Sequence, residues 1–171
     1  MRILALDLAR KTGWALGTIH DNVPTSGSVT IASEGASMAK LFSNWRQYLR
    51  DFLSLHPDVR IVVFEAPLDP TWIKDNRRPE VARRLIGLCA VTEELLFTLD
   101  RYDVREARVS DVRSHFIGSN RHKRDIAKGM TKHRCRMLGW NPVDDNAADA
   151  LALWDYQRAI LVKQDLFRRG A

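Results

Sequence analysis

Cysteine is nearly absent: Cys89 and Cys135 are the only two in 171 residues, so neither a disulfide framework nor a cysteine-based zinc centre can be built. Long apolar runs are missing as well. Those present, such as residues 61–64, fall far short of the roughly 20 residues that a membrane span requires. No basic segment followed by an apolar signal core opens the chain, which makes a reducing, cytoplasmic setting without a membrane partner the expectation. The sequence holds no GxSxG, no P-loop and no dinucleotide fingerprint. Its five histidines, His20, His56, His115, His122 and His133, show no metal-ligand spacing. His122 stands beside Lys123 and can touch a phosphate, while the other four read as surface residues.

Acidic residues are in the minority, 21 against 27 lysines and arginines, for a net charge of +6. Such a balance permits a polyanionic partner. The distribution says more, because residues 101–136 carry eleven basic and four acidic side chains, a surplus larger than that of the whole chain. A solvated face would account for such a run, but nucleic acid is the favoured partner. Hydrophobic residues at 45% and charged residues at 28% describe a chain that folds, and its length suits one domain over residues 1–171.

Periodicity supplies the element order. Residues 2–8 are an apolar run ending in an acid, 13–19 resume the pattern after a tight turn, and 26–32 alternate, so the first three strands form an antiparallel meander. Residues 37–55 carry Met38, Leu41, Phe42, Trp45, Leu49, Phe52 and Leu53 at helical spacing. Residues 59–65, VRIVVFE, read as a strand buried on both faces and again end in a carboxylate. Pro67 and Pro70 make 66–78 a loop, and a long helix resumes at Pro79. A strand over 103–109, a short helix capped by Ser110, a basic loop over 118–122, a helix over 124–138 and a last helix from Asp144 or Asp145 to about Phe167 complete the chain. The expected fold class is α/β: a mixed sheet, three antiparallel strands plus parallel ones, with helices on both faces.

Asp7 and Glu65 each close an apolar strand, the end at which open α/β sheets present functional groups. Asp145 and Asp149 stand at i and i+4, on one face of the last helix, and Ala147, Ala148, Ala150 and Ala152 let that helix lie close to the sheet. Asp144 or Asp145 is expected to cap the helix. Asp149, flanked by alanines and near Leu151, Leu153 and Trp154, is an acid close to a buried face and needs a cation. Convergent carboxylates call for hard divalent ions, Mg²⁺ or Mn²⁺, and a pair of these supports phosphodiester hydrolysis.

The runs Leu4-Ala5-Leu6-Asp7, Thr12-Gly13-Trp14-Ala15, Val63-Phe64-Glu65 and Asn146-Ala147-Ala148-Asp149-Ala150-Leu151-Ala152 together resemble the RuvC-type Holliday junction resolvases, crossover junction endodeoxyribonucleases of the ribonuclease H-like superfamily. The similarity runs over about residues 2–155 and includes the segment from Asn76 to Gly87 and the loop from Gly118 to Lys123. The turn after Asp7 is one residue shorter than the usual version and resembles the phage and prophage branch, which implies a bacterial or phage-infected host cell.

The resemblance implies metal ligation by Asp7, Glu65 and Asp149, two ions per subunit, Lys123 near the scissile phosphate, a homodimer, and four-way or otherwise branched DNA as partner in recombination and repair. The family's fourth acid normally stands three positions before the last. Asn146 occupies that place, so Asp145 and Asn146 are rival candidates for the fourth ligand, with Asp145 also a candidate catalytic residue. Leu68 stands where many members carry an aromatic residue, and Trp72 either stacks on an unpaired base or covers the core. Arg77, Arg78, Arg113, Arg121, Lys128 and Lys132 are the further candidates for nucleic-acid contact. Three other readings fit the sequence less well: a ribonuclease H-like nuclease acting on RNA or other structures, a binding-only module, and an actin-like or sugar-kinase-type ATPase fragment, the last needing about twice this length.

Overall fold

The structure, a computed structural model, describes residues 2–67, 79–100 and 102–169. Five strands, β1 (Arg2–Asp7), β2 (Lys11–Thr18), β3 (Thr25–Thr30), β4 (Val59–Glu65) and β5 (Asp103–Ala107), form one sheet in the order β3-β2-β1-β4-β5. The first three pair antiparallel, whereas β4 runs parallel to both β1 and β5, which is the mixed sheet the periodicity predicts. Thr12 closes the β1–β2 turn, its hydroxyl donating to the Ala9 carbonyl at 2.7 Å.

Alternation along β1 and β4 sorts side chains to opposite faces. Leu4, Leu6, Val62 and Phe64 point into a core shared with α1 (Met38–Leu55) and α2 (Pro79–Leu99). Ser37 caps α1 by accepting from the Lys40 N–H. Gly87 lets the two helices touch, since a Cβ there would strike the Phe42 ring. At the centre of this layer the Trp45 indole N–H donates to the buried Thr92 hydroxyl at 2.8 Å.

Ile3, Ala5, Ile61 and Val63 point the other way, into a core with α3 (Val109–Ile117), α4 (Arg124–Met137) and α5 (Asp145–Arg169). That face is lined with small residues, and α5 lies directly on it. Gly13 is required there: its Cα faces the first turn of α5 so closely that a Cβ would run into the Asn146 carbonyl. Both cysteines are buried and free. Among the described residues no helix is long and apolar enough to cross a membrane.

Several boundaries differ from expectation. Strand β5 ends at Ala107 rather than 109, and α3 starts at Val109 with Arg108, not Ser110, at the cap position. The Arg108 carbonyl accepts from the Asp111 and Val112 N–H groups, so the helix starts two residues early and the Ser110 hydroxyl turns to the Asp111 carboxylate instead. Helix α5 continues past Phe167 to Arg169. Leu68, Trp72, Asn76, Arg77 and Arg78 lie outside the described residues.

Candidate active site

Asp7 and Glu65 are the last residues of β1 and β4, neighbouring parallel strands in which Leu6 pairs with Phe64. Both occupy odd positions, in step with Ile3 and Ala5 or with Ile61 and Val63, so both carboxylates belong to the face that α5 covers. Asp149 arrives from the second turn of α5. Its position depends on the helix start, which is tied down at three points: Asp144 accepts from the Ala147 N–H at 2.9 Å, from the Ser28 hydroxyl at 2.6 Å and from the Lys11 ammonium at 2.7 Å. Asp144 is therefore the helix cap. Burial alone would raise its pKa, but these donors outweigh it and bring it down to about 2.

The three inner acids behave oppositely. Burial, followed by repulsion from Glu65 and Asp149, raises Asp7 well above the usual carboxylate range. Burial and the Asp149 charge lift Glu65 to about 7, with Arg113 working against them. Asp149 is raised by burial too, opposed by Lys128, Arg113 and Arg124. Glu65 and Asp149 thus disfavour ionisation of Asp7, and Asp149 that of Glu65, so the nearby cations offset the charge of the acids only in part.

The cations come from α3 and α4. A small pocket of about 40 Å³ is lined by Glu65, Asp149, Arg113, Lys128 and Thr131, with Val112, Phe116, Ala127 and Ala152 forming its apolar wall. Lys128 also reaches Asp145 at 3.5 Å, and Lys132 pairs with the same carboxylate at 2.7 Å. The lysine hydrogen bond holds Asp145 below the ordinary carboxylate range. Of the two candidates for a fourth ligand, Asp145 is thus an ion-pair partner of α4, while Asn146 sets its backbone against Gly13. Lys123 is exposed at the N-terminus of α4, next to Arg124, whose charge acts on both Asp7 and Asp149. Arg121 is exposed in the preceding loop.

Arg113 and Lys128, candidates for nucleic-acid contact by sequence, also line the carboxylate pocket. Arg124 and Thr131 were missed altogether. The spacing Arg124, Lys128, Lys132 at i, i+4 and i+8 was the available signal, since it puts three cations on one face of α4. His115 is exposed, as expected of a surface residue, and its Nε2 lies 3.0 Å from the buried Asp155 carboxylate.

The donor set, three carboxylates with no soft ligand, suits a hard divalent ion. Mutual repulsion supplies the drive to take one up. Among the described residues no three acid, histidine or cysteine side chains are already gathered at ligand distance, so binding would draw the carboxylates together.

The architecture is that of the RuvC-type resolvases, within the ribonuclease H-like fold. Two Thermus thermophilus structures, RuvC and RuvC in complex with Holliday junction substrate, superpose with TM-scores of 0.65 and 0.67 at 14% identity, each comparison covering 91% of this chain and 92% or 91% of the other. The yeast mitochondrial Holliday junction resolvase Ydc2 superposes with a TM-score of 0.67 at 13% identity, over 98% of this chain and 83% of its own. No family model and no curated protein matches the sequence.

Proposed function

We propose that this chain is a Mg²⁺- or Mn²⁺-dependent endonuclease that cuts branched DNA, resolving four-way junctions by paired cuts as a homodimer. The observation that carries the reading is the convergence of Asp7, Glu65 and Asp149 where β1, β4 and α5 meet, each raised in pKa by burial and the first two also by the other acids. These three would hold the metal, with Asp145 or Asn146 completing the set. The bound ions would activate water and stabilise the leaving oxygen in phosphodiester hydrolysis. The likeness to a resolvase described in complex with Holliday junction substrate favours branched DNA over other nucleic acids.

The chain's own side chains have separable tasks. Arg113 and Lys128 border Glu65 and Asp149 and offset part of their charge, which favours the ionised acids and leaves cationic donors beside the reacting phosphate. Lys123, exposed next to Arg124, is set to contact the phosphate as charge develops on it. Arg121 and the rest of the basic stretch supply affinity through phosphate contacts. Trp72, Arg77 and Arg78 are proposed to meet DNA beside the branch.

The reading is tested with radiolabelled four-way junction, linear duplex and RNA–DNA hybrid of the same sequence, incubated with Mg²⁺ or with chelator. Metal-dependent, symmetric nicks in the junction alone support it. Cleavage of hybrid in preference to junction would move the protein to the RNA-acting branch of the fold.

A further inference from the structure

Helix α3 is short and has only Val112 and Phe116 buried. At about 100° per residue these two define one stripe, with Arg113 about 80° to one side of it and His115 about 80° to the other. A stripe of two side chains fixes where the helix sits but resists rolling weakly. Arg113, on one flank, is the α3 cation in the carboxylate pocket. His115, on the opposite flank, meets a carboxylate that the pocket does not use.

That carboxylate is Asp155, ten residues above the start of α5, with a side chain only 11% exposed. One oxygen lies 3.0 Å from His115 Nε2, and the other accepts from Arg158 at 3.0 Å. Arg158 is itself fixed: it donates to the Asp21 carbonyl at 2.9 Å and lies over the Trp154 ring. The His115 ring also meets Tyr156 edge-on. A buried acid on the helix that carries Asp149 is thereby clamped to the helix that carries Arg113, and the acid is rigid because its other partner is bonded to the β2–β3 turn.

We infer that His115 and Asp155 are positioning residues for the nuclease site: their contact sets the roll of α3 on α5 and so holds Arg113 against Glu65 and Asp149. The inference rests on the proposed nuclease reading for its consequence in turnover, and on the geometry alone for its consequence in Arg113. Losing the contact frees the helix to roll, and a shift of about 1 Å at a catalytic cation is enough to slow chemistry substantially. Affinity for DNA, spread over many phosphate contacts, is left in place.

The test compares His115→Leu, His115→Gln and Asp155→Asn in the full chain. Glutamine can set its Nε2 near the place of the imidazole Nε2, so His115→Gln should keep near-native turnover, whereas His115→Leu should lose about tenfold in the single-turnover rate at saturating junction with unchanged junction affinity. In an Arg113→Ala background His115→Leu should cost nothing further, because a latch acting through Arg113 has nothing left to position. An additive loss, or equal loss in the leucine and glutamine variants, would overturn the inference. The Arg113 Nε–H resonance of the free protein decides it even without cleavage: it should move in His115→Leu and stay in His115→Gln. An unmoved signal refutes the latch, while an inactive wild type with the expected shifts refutes the nuclease reading alone.

Discussion

Asp7, Glu65 and Asp149 are the residues proposed to carry the chemistry, and their isosteric amides separate charge from shape. Asp7→Asn, Glu65→Gln and Asp149→Asn should each abolish metal-dependent cleavage, by at least about 10³-fold, while a gel-shift assay still finds junction bound. Metal-free stability gives an independent check. Glu65 titrates at about 7 in the folded protein against an ordinary 4.5, so the folded state takes up a proton first on acidification. Its contribution is then most favourable below about pH 4.5 and is lost as pH rises through 7. In chelator, Glu65→Gln should raise the melting temperature relative to wild type at pH 8 and not at pH 4, and divalent ion should narrow that gap at pH 8. Lys123→Ala should slow cleavage at saturating DNA. Arg113→Ala should do the same, since Arg113 borders the acids. Asp7, Glu65 and Asp149 were legible because each stands at a place where the pattern of apolar neighbours makes an acid costly. Asp155 was not legible: its partner His115 is 40 residues away, and no local pattern joins them.

Elements bring these side chains together, and the seating of α5 on β2 is the contact most sensitive to change. Gly13 pairs with Asp7 across the β1–β2 ladder and faces the Asn146 carbonyl. Gly13→Ala should therefore push the first turn of α5 off the sheet, at a cost of about 1–3 kcal/mol, and remove activity through Asp149, both measurable by chemical denaturation alongside cleavage. Asp144→Ala removes the cap and its ties to Lys11 and Ser28. It should cost about 1 kcal/mol at neutral pH. With a folded pKa near 2, the Asp144 contribution is present above about pH 4 and fades as pH falls through 2, so wild type and variant converge in acid.

The strands and long helices were readable from sequence because both sheet faces are covered, which forces unbroken apolar runs in β1 and β4 and a helical stripe in α1 and α2. The start of α3 was not readable. Ser110 is the better cap by propensity, but the backbone turn at Arg108 follows directly from where β5 leaves the sheet, a tertiary constraint that overrides local preference. The choice between Asp145 and Asn146 for a proposed fourth ligand also escapes the sequence: i to i+4 spacing places Asp145 on the face of Asp149, yet Lys128 and Lys132 compete for its charge. If Asp145 completes the metal site, Asp145→Asn should raise the Mg²⁺ needed for half-activity more than Asn146→Ala does; the reverse order in a metal titration transfers the role to Asn146.

At the scale of the whole molecule, the proposed function, with one carboxylate cluster among the described residues and two strands to cut, argues for a two-fold dimer on a two-fold junction. Helix α2 is the proposed dimer element. Leu95 and Leu96 are spent on the intramolecular core, but Phe97 is 85% exposed and Ile86 is 41% exposed, so Phe97 is the side chain most available to a second copy. Phe97→Asp should shift the mass in solution from dimer to monomer and reduce paired cutting to single nicks. The most direct measurement of the central claim is the rate of paired cleavage of a synthetic four-way junction against linear duplex, with Mg²⁺, for wild type and Asp7→Asn side by side. The account predicts symmetric cuts in the junction, little cutting of duplex, and none of either by Asp7→Asn. Equal turnover of the two DNAs, or wild-type turnover in Asp7→Asn, would contradict it.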